Sequence, residues 1–141
     1  WPGVTRPGDC QHPVISNDFY PTLAELLKLD SAGQPSTDGV SLAPLLKNPA
    51  GALSRDTLYW HYPHYYPTTT PVSAIRHGDW KLLYYYAENR AELFHLGDDR
   101  SEADNLASHH PERVKQLRTK LDAWLANIGA QLPTPNPRHG R

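Results

Sequence analysis

The apolar positions of the chain change their spacing twice along its length. Over residues 14–30, VISNDFYPTLAELLKLD, Phe19, Leu23, Leu26 and Leu27 recur at three- and four-residue intervals. That spacing predicts an amphipathic helix, with Asn17 or Asp18 as its cap and Pro21 in its first turn. The turn formers of SAGQPSTDG predict its end. A short second helix is expected over 41–47, SLAPLLK, capped by Ser41. From residue 56 the period drops to two, and β-branched and aromatic types dominate. DTLYWHY, VSAIR, WKLLYYY and ELFHL then read as successive strands, the middle two joined by a hairpin turn at His77-Gly78-Asp79. In WKLLYYY, Trp80, Leu82, Tyr84 and Tyr86 share one face, and Lys81, Leu83 and Tyr85 share the other. Helical spacing returns at Pro111. Val114, Leu117, Leu121, Trp124, Leu125 and Ile128 fall on one side, while Glu112, Arg113, Lys115, Arg118 and Asp122 fall away. Pro111 at the start and Gly129 past the end match the asymmetry of helix ends and predict a helix to about Asn127. The expected fold class is α+β: a small antiparallel sheet of about four strands packed against a long C-terminal helix, preceded by a helical segment.

Composition narrows the function classes. The 141 residues suit one domain or two small lobes. Fourteen Lys and Arg against fifteen Asp and Glu give a formal charge of −1, which argues against nucleic acid and against a polybasic membrane binder. No apolar run approaches the roughly 20 residues of a membrane-spanning helix. Fourteen prolines and no methionine suggest a piece of a longer chain. The aliphatic content is thin, but fourteen aromatic residues can bury large areas in its place.

Seven of the eight tyrosines lie between residues 59 and 86, and the densest stretch is Tyr59-Trp60-His61-Tyr62-Pro63-His64-Tyr65-Tyr66. Imidazoles among aromatics suit anionic or sugar-like ligands, since imidazole both donates and accepts hydrogen bonds. The same residues also read as half a core strand followed by a proline-stiffened loop. His61 and His64 have zinc-like spacing, but Pro63 forbids a helix interior and no cysteine partner exists. Asp98, Asp99, Glu102 and Asp104 lack the order of a calcium loop and read as turn residues. Arg76 and Lys81 flank the hairpin turn, where basic side chains are usually solvated. Cys10, followed by Gln11-His12-Pro13, carries no mark of activation. No complete catalytic apparatus is legible.

Taken in order, the segments resemble the C-terminal part of sulfatases of the arylsulfatase type, in the alkaline-phosphatase-like superfamily. The pieces are WPG, PVISNDFYPTLAELLKLD, DGVSLAPLL, LYWHYPHY, SAIRHGDWKLLYYY, AELFHLGDDRSEADNLA and GAQLPTPNP, covering roughly residues 1–137. The resemblance implies a parent enzyme that hydrolyses sulfate esters with a formylglycine, made within C-x-P-x-R or C-x-A-x-R, and a calcium ion. Both would lie in an N-terminal catalytic domain. Neither cofactor is therefore expected in this chain, and Cys10, outside that motif, is not the nucleophile. No catalytic residue and no metal ligand is therefore assigned. His61 and His64 are the positions expected to face substrate, selecting the group that carries the sulfate.

The expected organisation is 1–54 as the tail end of the α/β catalytic domain, 55–137 as a sheet-plus-helix domain, and 138–141 as a tail. The expected partners are the missing N-terminal domain or a second chain, and a sulfated small molecule or glycan. The 19–27 helix and the second face of the sheet would leave an apolar patch without them. The resemblance favours a periplasmic or extracellular setting. The competing reading is a stand-alone glycan-binding or structural module built on the Tyr/Trp/His cluster.

Overall fold

The computed structural model describes residues 1–29 and 35–134, in two compact units, Trp1–Asp56 and Thr57–Arg141. The stop expected at SAGQ falls largely outside the described residues, as does the tail from 135.

In the first unit, a single 3-10 turn, Ser16–Asp18, leads into helix α1, Phe19–Leu26. Asp18 sits at the cap position but does not cap α1 with its side chain. Its carboxylate turns inward instead and is fully buried. One oxygen accepts from the Ile15 amide at 3.0 Å and the other from the Val40 amide at 3.0 Å. Arg55 donates to both oxygens, at 2.6 and 2.7 Å. Burial alone would raise the Asp18 carboxyl, but the Arg55 guanidinium and the two amides outweigh it. They lower its pKa from 3.8 to about 2. Thr22 donates to the Asp18 carbonyl at 2.5 Å and accepts from the Leu42 amide at 2.8 Å. These bonds tie α1 to the start of α2, Ala43–Lys47. The second helix starts at Ala43 with Leu42 at its cap position, so Ser41 is not the cap expected of it; the Ser41 hydroxyl accepts from the Ala43 amide at 3.2 Å in the turn before the helix.

The apolar stripe of α1 forms and faces outward. Phe19, Leu23 and Leu27 are 64%, 54% and 56% exposed, while the buried position of the helix is Thr22. Lys28 closes α1 at φ 53°, with the Leu29 amide on the Ala24 carbonyl and the Lys28 amide on that of Glu25. This is the Schellman pattern, with lysine where glycine is usual.

The second unit is a four-stranded antiparallel meander, order β1-β2-β3-β4. Its strands are β1 (Thr57–Tyr62), β2 (Val72–His77), β3 (Trp80–Tyr85) and β4 (Arg90–His95). Gly78 has φ +58° at the first of two turn positions between the paired His77 and Trp80. A positive φ there suits the twist of a two-residue hairpin. β4 begins at Arg90, before the expected Glu92, because Tyr85 pairs with Arg90 across a short turn. Helix α3, Pro111–Asn127, lies on one face. Leu117, Leu121 and Leu125 from α3 meet Ile75, Leu82 and Leu93 in one buried core. Each such side chain contributes roughly 1.5–3 kcal/mol when fully buried. Gly129, at φ +61°, ends α3 with a second Schellman pattern, the Ala130 amide on the Leu125 carbonyl.

Three expectations need correction. Ile128 is the cap residue of α3 and is 51% exposed, so the apolar side of the helix ends at Leu125. Arg113 and Arg118 do not simply point away. Arg118 lies 3.3 Å over the Tyr84 ring and Arg113 lies 5.4 Å over that of Trp80, where cation–π attraction and their apolar stems hold them. The second face of the sheet is not broadly open either. Leu58, Ala74 and Phe94 are buried there, leaving Trp60 and Tyr62 about 40% exposed at edge strand β1. The acidic loop is made of turn residues: Asp99 accepts from Ser101 and the Asp104 amide, and Glu102 takes both its bonds from Lys81.

Candidate functional site

β1 delivers the Tyr/Trp/His stretch to one end of the sheet. Strand alternation sends Tyr59 and His61 to the helix face and Trp60 and Tyr62 to the other. Tyr59 stacks on Trp124 at 4.8 Å between centroids, which fixes the strand against α3. Pro63 has no amide hydrogen to donate, so pairing stops there. The chain then loops through an isolated Tyr66–Thr69 bridge to Pro71, which is buried just before β2.

His61 is held at both ring nitrogens. Its Nε2 lies 2.9 Å from the Gln131 carbonyl, which can only accept, so Nε2 carries a proton. Its Nδ1 lies 2.7 Å from the hydroxyl of Ser73, its cross-strand partner. Ser73 is 1% exposed, and its Oγ lies 2.8 Å from the Tyr86 hydroxyl. With neutral His61 the bonds run one way: Tyr86 donates to Ser73, Ser73 to Nδ1, and Nε2 to Gln131. Burial pushes the Tyr86 phenol above its ordinary 10.0, against the pull of Ser73 and Arg118, so it remains a donor at neutral pH. The network joins β1, β2, the end of β3 and the segment after α3.

His64 differs in every respect. It is exposed, and its ring meets Tyr62 edge to face at 5.6 Å. Among the described residues nothing hydrogen-bonds to its ring nitrogens, so both are available to a ligand. Tyr65 and Tyr66 beside it are 74% and 61% exposed. The two histidines therefore share one end of the sheet but have different surroundings. Ser73, Tyr86 and the Gln131 carbonyl were not singled out from the sequence. The register could have found Ser73, since a His and a Ser directly opposite on adjacent strands are placed to bond. The Gln131 contact spans 70 residues and has no local signal.

Among the described residues, no three His, Cys, Asp or Glu side chains come together as a metal site requires. Cys10 is exposed and unpaired. Among the described residues no group of side chains fits a calcium ion, and Cys10 stands outside the formylglycine motif.

The family described as N-sulphoglucosamine sulphohydrolase, C-terminal, matches residues 1–131. A sulfatase of Formosa agariphila is 35% identical over 92% of this chain and 26% of its own. A solved structure described as a putative sulfatase from Bacteroides thetaiotaomicron superposes with TM-score 0.69 at 25% identity, over 86% of this chain and 27% of that one. Another, solved in complex with its substrate D-glucosamine-2-N,6-O-disulfate, gives TM-score 0.61 at 27% identity over 77% of this chain and 23% of that one. This chain spans about a quarter of the length of these relatives. A match over nearly its whole length makes it a member of the sulfatase family, corresponding to the C-terminal domain.

Proposed function

We propose that this chain forms one wall of the substrate pocket in a parent sulfatase that hydrolyses the sulfate ester of a glycan, with His64 contacting the group that carries the sulfate. The observation that carries the proposal is the contrast between the two histidines. His64 presents ring nitrogens with no hydrogen bond among the described residues, beside exposed tyrosines, a surface that can stack on a sugar and bond its hydroxyls. His61 is the positioning residue behind it, holding Gln131 to the sheet through a network with no spare donor. Formylglycine and calcium, on this reading, belong to the N-terminal catalytic domain. The relative bound to a disulfated glucosamine supports a sulfated sugar as the substrate class.

The outward stripe of α1 supports the same arrangement. Phe19, Leu23 and Leu27 form an apolar face that the N-terminal catalytic domain would cover. The decisive test is His64→Ala in the full-length parent. It should lower kcat/KM for the sulfated glycan by about tenfold, the loss of one ligand hydrogen bond in a protected site, and leave a small aryl sulfate nearly unchanged. Equal loss on both substrates would show that His64 does not select the sugar.

A further inference from the structure

The His61 end is not the only place where chemistry gathers. At the opposite end of the strands, His77 on β2 and the first half of α3 enclose an open concavity of about 520 Å³. Its floor is Leu117, and its rim carries His77, Arg113, Lys115, Gln116 and Lys120 with a single carboxylate, Glu112. Three cationic side chains thus face one anionic one, in a chain whose formal net charge is −1. Lys81, Arg90 and Arg118 of this unit pair with Glu102, Glu92 and Asp122, while Arg76 donates to the Gly78 carbonyl. Arg113, Lys115 and Lys120 have no carboxylate partner among the described residues.

The position of Lys120 adds a second observation. Its Nζ lies 3.3 Å from Nε2 of His77, whose Nδ1 lies 2.8 Å from the Thr57 hydroxyl. An ammonium can only donate, so Nε2 accepts and Nδ1 carries the proton. The ammonium is therefore held at the mouth of the concavity by the ring, with no carboxylate partner among the described residues. Gln116 adds amide donors one turn before Lys120 on the helix. A wall of this kind suits a tetrahedral oxyanion that carries permanent charge, and the apolar floor suits the face of the ring bearing it.

We propose that this concavity is a second binding site for a sulfated glycan, distinct from the His64 end and engaging another anionic group of an extended chain. The inference rests on the glycan reading above. Five residue steps along β1 separate the two ends, roughly 17 Å at strand rise, so a glycan engaging both must be an oligosaccharide rather than a single sugar. The site gives affinity for chain length and does no chemistry.

The test is binding by the chain itself, read by titration calorimetry with a sulfated oligosaccharide at low and physiological salt, with inorganic sulfate as a separate arm. The oligosaccharide should bind more tightly than inorganic sulfate, and should weaken as salt screens the rim. A Lys115→Gln/Lys120→Gln variant should bind about tenfold more weakly, from the loss of two exposed charge contacts. Glu112→Gln should bind more tightly, a gain that loss of folding cannot mimic. Unchanged affinity in both variants would overturn the site. Equal affinity for inorganic sulfate and the oligosaccharide would overturn the glycan assignment. His64→Ala should weaken this titration on its own account and by the same factor whether or not the two lysines are present, whereas the pocket-wall reading is judged by kcat/KM in the parent, so failure of that reading and failure of this one are separable.

Discussion

Arg55 meets Asp18 at both carboxylate oxygens, and its loss would leave a fully buried charge with only two amide partners. Arg55→Met should therefore cost about 3–5 kcal/mol in urea unfolding. The pair also sets an acid limit. The folded-state value near 2 lies below the ordinary 3.8. Its stabilisation is therefore complete above the ordinary value and disappears as pH falls toward the folded one. Asp18→Asn should remove that part of the acid dependence. Neither role was legible in the sequence, where Asp18 before an apolar helix reads as a cap. Its partners at Val40 and Arg55 come from distant parts of the unit, and local spacing carries no trace of them. His61 shows the same limit. The sequence marks it as chemically able, and only the fold shows that Ser73 and Gln131 already hold its ring. Ser73→Ala should destabilise the chain by about 1–3 kcal/mol, because the Tyr86 hydroxyl and His61 Nδ1 both lose a buried partner.

At the scale of elements, periodicity carried much further. α3 was legible to its ends because Pro111 and Gly129 punctuate it and the leucines repeat at helical spacing. The strands were legible from alternation, and the β2–β3 hairpin from Gly78. The spacing could not say which way the stripe of α1 faces, since an amphipathic pattern shows that a face exists and not what covers it. It also missed that Arg113 and Arg118 cover aromatic rings, because charge alone reads as solvated. Leu121 is fully buried at the centre of α3, and Leu121→Ala should cost about 3 kcal/mol or more in urea unfolding. Gly39 is as restrictive for a different reason. A Cβ there would lie 2.0 Å from the Asn17 carbonyl oxygen, so Gly39→Ala must shift the backbone beside Asp18. About 2–3 kcal/mol is expected from such overpacking, read as a lowered Tm.

For the whole molecule, the outward face of α1 sets behaviour in solution. Separated from a covering domain, the chain should self-associate through Phe19, Leu23 and Leu27. A Leu23→Asp/Leu27→Asp variant should sediment as a smaller species, and identical sedimentation of the two would assign association to another surface. β4 is managed differently. Leu93 on its outer edge receives the Leu106 amide at 2.8 Å and gives its own amide to Asn105 at 3.0 Å, so the loop after the strand occupies the ladder there. The meander order has a kinetic consequence as well. Each strand pairs with its neighbour in sequence, and β2 and β3 are separated by only two residues. Little loop entropy is lost before contacts form, which favours fast folding. The sheet can therefore zip from the Gly78 turn outward as soon as its residues leave the ribosome, with α3 arriving last to seal it. Under the proposed arrangement, a slow step in refolding of a longer parent would then arise outside this sheet.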